Sequence, residues 1–127
     1  MKIIGIDFGE KRVGVAISDN SGRVAFPVSV LENNDKLLTK IKDIIEKENV
    51  EKIVVGESKD FAGAPNVIMK KIDQFVSILE KQTDLQIVLE PEFLSSHQAQ
   101  RYTGKNSMHD ASAAAIILQS YLDRNLE

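Results

Sequence analysis

The 127-residue sequence contains no cysteine, which excludes disulfide bridges and thiolate metal sites. Any bound metal must therefore be held by oxygen or histidine ligands. The sequence also has no apolar run near the roughly eighteen residues that a membrane span needs, and its N-terminus lacks the pattern of a cleavable signal. We therefore expect a cytoplasmic protein with no membrane partner.

Basic residues are slightly outnumbered by acidic ones. The chain has 16 Lys and Arg residues against 19 Asp and Glu, which gives a formal net charge of −3. Because Lys and Arg dominate phosphate binding, this balance counts against a protein that binds nucleic acid through its whole surface. It allows a local basic rim around an acidic metal site, where a bound divalent cation reverses much of the local negative charge.

Length and composition predict one globular domain over residues 1–127. A hydrophobic fraction of 43% and a charged fraction of 28% are typical of a chain that folds alone. The length leaves no room for a second hydrophobic core.

The first third of the chain predicts three strands rich in Ile and Val, over Lys2 to Phe8, Arg12 to Asp19 and Arg23 to Leu31. The turns between them are short and contain glycine, which indicates an antiparallel meander.

Helix and strand patterns then alternate. An amphipathic helix begins after a cap at Asn34 or Asp35, and a buried strand covers Lys52 to Gly56. A polar loop leads to a second helix that ends near Gln82, and a fifth strand covers Gln86 to Glu90.

Two closing helices are predicted. A short one is capped by Ser95 or Ser96 and ends near Gly104, and an Ala-rich one runs from His109 or Asp110 through Arg124. Because the crossover connections make the fourth and fifth strands parallel to a neighbour, the prediction is an α/β fold. Its sheet is mixed and five-stranded, three antiparallel strands followed by two parallel ones, with helices on both faces.

Asp7 is the first candidate for chemistry, since it lies near the end of an otherwise apolar strand. An unpaired buried carboxylate costs several kcal/mol, which favours a metal ligand. The structural alternative is a strand-end Asp that accepts hydrogen bonds from the amides of the following turn.

Three further acids are expected near the same edge. Glu57 and Glu92 come at the ends of the parallel strands, where ligands collect in sheets of this kind, and Asp110 begins the last helix. Glu57 could instead be a solvated loop residue, and Asp110 a helix cap. The neighbouring His109 is a weaker ligand candidate, more typical of a polar loop residue.

Converging carboxylates form an all-oxygen site suited to Mg²⁺ or Mn²⁺ rather than zinc. A pair of such ions activates water for in-line attack on a phosphodiester, which predicts hydrolysis of a nucleic-acid backbone. Basic residues in loops or at element ends could supply the phosphate contacts, although each is also an ordinary surface residue: Lys11, Arg12, Lys59, Arg101 and Lys105.

Several segments resemble the YqgF/RuvX family, described as Holliday junction resolvases or pre-16S ribosomal RNA nucleases. The opening motif over residues 4–16 and the closing motif over residues 110–118 are the specific matches. Weaker ones are Val54-Val55-Gly56 and Glu92 with Leu94-Ser95-Ser96. The resemblance covers essentially the whole chain and implies a ribonuclease H-like fold, with Asp7, Glu92 and Asp110 as metal-binding acids.

Two departures from the family pattern affect the second acid. The chain has Pro91-Glu92-Phe93 where the family usually reads Asp-Glu-Arg, and Gly56-Glu57-Ser58 where it usually reads Gly-Leu-Pro. Glu57 thus lies where related RuvC-type resolvases keep a catalytic acid, and we hypothesise that it shares or takes over the ligand role of the fifth strand.

Three other interpretations remain. The motif Gly5-Ile6-Asp7-Phe8-Gly9 also resembles a phosphate loop of actin-like ATPases and sugar kinases, although the chain has no room for their second domain. The altered Pro91-Glu92-Phe93 motif would suit a catalytically inactive nucleic-acid-binding module. Among active functions, 5′ processing of precursor 16S rRNA is the first choice and resolution of four-way DNA junctions the second.

The sequence pattern shows no exposed apolar stripe that would indicate a stable dimer. We therefore expect a monomer or weak homodimer.

Overall fold

Eight elements are described in the computed structural model, which covers residues 1–57, 67–91 and 109–125, with side chains at 1–57, 69–91 and 113–125. The strands are β1 (Ile3–Phe8), β2 (Arg12–Ser18), β3 (Ala25–Glu32), β4 (Lys52–Glu57) and β5 (Gln86–Pro91). The helices are α1 (Leu37–Glu48), α2 (Val67–Gln82) and α3 (His109–Arg124). The predicted helix that ends near Gly104 lies outside the described residues.

The strand order is β3-β2-β1-β4-β5. β1, β2 and β3 pair antiparallel, whereas β4 pairs parallel to β1 and β5 pairs parallel to β4. The predicted mixed sheet is therefore confirmed. Strand boundaries differ from the prediction by no more than two residues. Hydrophobic periodicity places a strand in the sequence but does not fix its first and last residues.

One prediction about a helix start is wrong. α1 begins after Lys36, which makes no side-chain capping bond, rather than after Asn34 or Asp35. The side chain of Asn34 instead accepts a hydrogen bond from the backbone N–H of Lys36, at 2.9 Å, and so closes the turn before the helix. Asn favours this local bond to the backbone two residues on, and a helix cap and such a turn look alike in sequence.

Side-chain alternation divides the core into two layers. On one face of the sheet, buried residues of β1, β2 and β4 pack against α1 and α2 through Ile41, Ile72 and Leu79. On the other face, Ile3, Ala16 and Val54 pack against α3. Successive strand residues point to opposite faces, so each face can be followed along a strand by residue number.

α3 lies close to the sheet because β1 carries a glycine under it. A Cβ built at Gly5 would lie 2.7 Å from the Cβ of Leu118 and 3.2 Å from the backbone oxygen of Ala114. Farther along α3, Gln119 accepts a hydrogen bond from the N–H of Ala25 at 2.9 Å, and Lys52 donates to the hydroxyl of Tyr121 at 2.8 Å. Ala25 and Lys52 begin their strands at the edge of the sheet where β1 also begins, so α3 runs antiparallel to β1.

The edge strand β3 exposes apolar side chains that the sequence pattern did not single out. Phe26 is 54% exposed and Val28 44%. Phe26 pairs with Ile17, whose side chain belongs to the core layer under α1 and α2. The expectation of no exposed apolar stripe is therefore wrong for β3, because periodicity marks the faces of a strand but does not show how far the covering helices extend. None of the helices in the described ranges is long and apolar enough to cross a membrane.

Candidate functional site

The parallel strands β1, β4 and β5 all end at one edge of the sheet, at Phe8, Glu57 and Pro91. This edge carries or directly precedes the acids that the sequence singled out. Because ligands bind outside the carboxyl ends of parallel strands in sheets of this kind, this edge is the candidate site.

Asp7 is the last but one residue of β1 and is half-buried. By strand alternation it shares a face with Ile3 and Gly5, which is the face that α3 covers. Its carboxylate therefore lies on the α3 side of the sheet, at the edge where the parallel strands end.

Glycines border Asp7 on this face. Gly14 of β2 is its direct partner in the ladder, and Gly5 precedes it by two residues. The parallel ladder pairs Ile6 with Val55, and the residues that follow are Asp7 on β1 and Gly56 on β4. Directly paired residues point to the same face, so the neighbouring positions on both sides of Asp7 carry no side chain.

The first turn of α3 lies level with Asp7. Residue 110 precedes Ala114 by four residues, which is about 6 Å along a helix, and Asp7 follows Gly5 by two, which is about 6.6 Å along a strand. Ala114 contacts the Gly5 position, and α3 runs antiparallel to β1. The backbone at the start of α3 and the end of β1 therefore reach the same edge of the sheet.

Glu57 lies on a different side of the sheet. Ile53 and Val55 belong to the core layer under α1 and α2, whereas Val54 belongs to the layer under α3. By alternation, the half-buried Glu57 shares the side of Val55, opposite to that of Asp7. A shared ion would require the end of β4 to turn, so the ligand role of Glu57 stays a prediction.

Other predicted site residues cannot be placed in the same way. Glu92, Lys59, Arg101 and Lys105 lie outside the described residues, as do the side chains of His109 and Asp110. Within the part of the chain that the structure describes, no three His, Asp or Glu side chains form a metal-binding group. The proposed ligand set is completed only by residues beyond that part.

Sequence reasoning missed a buried acid at this edge. Glu90 is opposite Gly56 in the ladder and is only 2% exposed. The hydroxyl of Ser120 donates to its Oε2 at 3.0 Å, and the guanidinium of Arg124 pairs with its Oε1. A signal was available, because Glu90 follows the apolar run Ile87-Val88-Leu89 just as Asp7 follows its own apolar strand.

The turn after β1 is held firmly and carries two predicted phosphate ligands. The side-chain amide of Asn33 donates a hydrogen bond to the backbone oxygen of Gly9 at 2.7 Å. The backbone N–H of Asn33 donates to the backbone oxygen of Lys11 at 2.9 Å. A Cβ at Gly9 would lie 2.5 Å from the backbone oxygen of Arg12, so the turn requires glycine there. Lys11 and Arg12 are exposed, one strand away from Asp7.

Asp19, which lies away from this edge, has a carboxyl group with a lowered pKa. The backbone N–H of Arg23 and the hydroxyl of Ser21 donate to Asp19 and lower the pKa of its carboxyl below the usual value. Asp19 lies in the turn after β2, at the opposite end of the sheet from Asp7. Its shift therefore reflects turn structure rather than the candidate site.

Similarity to known proteins agrees with this architecture. Relatives named "Putative pre-16S rRNA nuclease" include proteins of Maridesulfovibrio salexigens, 38% identical over 98% of this chain and 99% of the relative, and of Nitratidesulfovibrio vulgaris, 36% identical over 97% and 94%.

Solved structures share the fold. Thermus thermophilus RuvC in complex with a Holliday junction substrate has a TM-score of 0.65 and 14% identity, over 98% of this chain and 95% of that one. The fowlpox virus resolvase in complex with Holliday junction DNA has a TM-score of 0.60 and 14% identity, over the full length of both chains. The predicted ribonuclease H-like fold is thereby confirmed.

The RuvX family, described as Holliday junction resolvase, matches residues 1–124. With the similarity to nuclease relatives over nearly the whole chain, this match makes the assignment independent of any single motif. The chain belongs to the RuvX family of nucleases.

Proposed function

We propose that this chain is a divalent-metal-dependent endonuclease that hydrolyses phosphodiester bonds in the 5′ processing of precursor 16S rRNA. The observation that supports it most is the position of Asp7. Its carboxylate lies among glycines, at the edge where the parallel strands end and level with the first turn of α3. Family membership supports the nuclease chemistry, and the names of the relatives support the RNA substrate.

The donor set fits Mg²⁺ or Mn²⁺. Asp7 and Asp110 are the proposed core ligands, with Glu92 as the second acid and Glu57 as its alternative, and all of them offer oxygen atoms. A bound ion of this kind would supply an activated water and charge stabilisation at the phosphate. The glycines beside Asp7 place no side chain between the carboxylate and a bound ion.

The basic rim has a different task from the acids. Phosphate contacts position a substrate strand without reading its sequence. Lys11 and Arg12 occupy the firmly held turn beside Asp7, and we propose Lys59, Arg101 and Lys105 as further contacts. With a net charge of −3, the chain would rely on these local cations rather than on its overall field.

Resolution of four-way DNA junctions is the alternative function, favoured by the description of the family. A resolvase must nick two strands related by two-fold symmetry, which requires two copies with their sites set apart to match. We propose that the chain is a monomer or weak homodimer in the cytoplasm. This state is better suited to cutting one RNA strand than to nicking two strands of a junction symmetrically.

A direct comparison of substrates tests the proposal. The purified chain is incubated with a precursor 16S RNA carrying its 5′ extension and, separately, with a four-way DNA junction, in Mg²⁺, Mn²⁺ or EDTA. We expect cleavage of the RNA with either ion and none in EDTA. Symmetric nicking of the junction with the RNA left intact would favour the alternative, and no cleavage of either substrate would contradict the nuclease proposal.

The same assay identifies the second acid. If Glu92 is the ligand, Glu92→Gln abolishes cleavage and Glu57→Gln leaves it near the parent rate. If Glu57 has taken over the role, the two variants exchange their effects. Because Glu57 lies on the other side of the sheet from Asp7 by alternation, we expect the first outcome.

A further inference from the structure

Glu90 and Arg124 form an ion pair with one buried and one exposed partner. The side chain of Glu90 is 2% exposed, whereas that of Arg124 is 58% exposed. The second oxygen of the Glu90 carboxylate accepts a hydrogen bond from Ser120 at 3.0 Å. Both carboxylate oxygens of Glu90 therefore have a partner within the protein, and the acid is almost fully shielded from solvent.

A buried carboxylate of this kind acts as an anchor. Its burial is costly unless a cation stays beside it, so the guanidinium of Arg124 is held near one place rather than moving freely in solvent. A guanidinium has five N–H donors arranged as a planar fork, and the exposed fraction of Arg124 leaves donors facing solvent. A fixed, exposed guanidinium is suited to binding a phosphate group.

The sheet register places the acid of this ion pair near the candidate site. Glu90 on β5 pairs with Gly56 on β4. The preceding residue of β4, Val55, pairs with Ile6 on β1, so Gly56 and Glu90 are level with Asp7. Both acids lie on the α3 face by alternation, two strands apart, which is about 10 Å between their Cα atoms. Lys11 and Arg12 lie on the opposite side of Asp7, at the start of β2.

We propose that Arg124, positioned by Glu90, binds a backbone phosphate of the nucleic-acid substrate on the β5 side of Asp7. A substrate strand would then run from the turn at Lys11 and Arg12, over Asp7, and along the α3 face of β5 to Arg124, at the C-terminal end of α3. This inference rests on the proposed nuclease function and adds a cation that the sequence motifs did not indicate. Arg124 is the contact, and Glu90 is a positioning residue.

The alternative is that the ion pair only fastens α3 to β5. The salt dependence of binding separates the two roles, because each phosphate contact on a single strand contributes about 0.7 to the slope of log affinity against log salt concentration. An ion pair that only stabilises the fold changes the unfolding midpoint but not this slope.

The experiment uses the full chain with Asp7→Asn to prevent cleavage, and a fluorescent single-stranded RNA taken from the 5′ extension of precursor 16S RNA. Dissociation constants are measured from about 50 to about 500 mM KCl, a range of about one decade over which the slope is fitted. Arg124→Met should lower the slope by about 0.7, and Arg124→Lys should keep it. The matched control Lys81→Met, at the exposed C-terminal end of α2, should also leave it unchanged.

Glu90→Gln tests the positioning role of Glu90, because this role and general electrostatics predict opposite changes in RNA affinity. The substitution makes the chain less negative, so general electrostatics would tighten RNA binding. If Glu90 positions Arg124, binding weakens instead. Tighter binding by Glu90→Gln, or equal slopes for Arg124→Met and Lys81→Met, would overturn the inference and leave the nuclease proposal standing. Failure of the parent chain to bind the RNA at any salt concentration would overturn both.

Discussion

Replacing Asp7 by Asn is expected to slow metal-dependent cleavage by about a thousandfold or more, because loss of a ligand removes several kcal/mol of charge stabilisation and each 1.4 kcal/mol is about tenfold in rate. The change removes a negative charge but keeps the size of the side chain. Asp7 is half-buried at the end of β1 rather than in the core, so the fold should remain. Initial rates on the RNA substrate at saturating Mg²⁺ measure the effect.

Asp19→Asn is the matched control for this prediction. It makes the same chemical change at the opposite end of the sheet, where the carboxylate accepts hydrogen bonds from the β2–β3 turn. We expect cleavage close to the parent rate, with at most a small loss of stability. Equal rates for Asp7→Asn and the parent chain would remove Asp7 from the chemistry.

Gly5→Ala is expected to destabilise the protein by about 1–3 kcal/mol, as insertion of a methyl group into a packed contact does. The new Cβ would lie 2.7 Å from the Cβ of Leu118 and 3.2 Å from the backbone of Ala114. Neither atom is the end of a flexible side chain, so α3 as a whole must shift away from β1. The midpoint of urea unfolding measures the loss.

The same variant also tests how α3 contributes to the site. Because the first turn of α3 lies level with Asp7, moving the helix should slow cleavage as well as lower stability. Ser77→Ala, on the exposed side of α2, should change neither. An unfolding midpoint for Gly5→Ala equal to that of the parent would show that the close approach of α3 to β1 does not stabilise the fold.

The sheet could be predicted from sequence because its strands repeat two simple signals. Apolar runs over Ile3–Phe8 and Arg12–Ser18, separated by a short turn, specify antiparallel pairing, and helices between later strands specify parallel pairing. These signals are local, and chain connectivity restricts how the elements can pair. The mixed antiparallel and parallel pairing followed from them without any knowledge of tertiary contacts, whereas the order β3-β2-β1-β4-β5 is known only from the structure.

The site could be predicted only in part, because strand position alone does not determine which acids share a space. The apolar residues before Asp7 mark it as a candidate, and the apolar run before Glu90 is an equal signal. Whether Glu90 is paired or open depends on Ser120 and Arg124, thirty or more residues away in sequence. Likewise, Glu57 ends a strand at the correct edge, but its side of the sheet follows from the register of β4 with β1.

The glycines near Asp7 also show that sequence position alone does not determine which residues lie side by side. The sequence marks Gly5, Gly14 and Gly56 as residues inside strands, where glycine weakens a sheet and often marks close approach of a ligand or backbone. Only the ladders show that these glycines border Asp7 on one face of the sheet. The absence of side chains on both sides of the carboxylate is therefore a property of strand pairing.

Binding of Mn²⁺ to the parent chain, Asp7→Asn, Asp110→Asn and the double variant tests the central claim most directly. Titration followed by electron paramagnetic resonance gives the dissociation constant of each. If the two carboxylates hold a shared ion, each single variant should weaken binding at least about tenfold, and the double variant should lose less than the product of the two effects. Unchanged affinity in both single variants, or fully multiplicative losses, would contradict a shared metal site between the end of β1 and the start of α3.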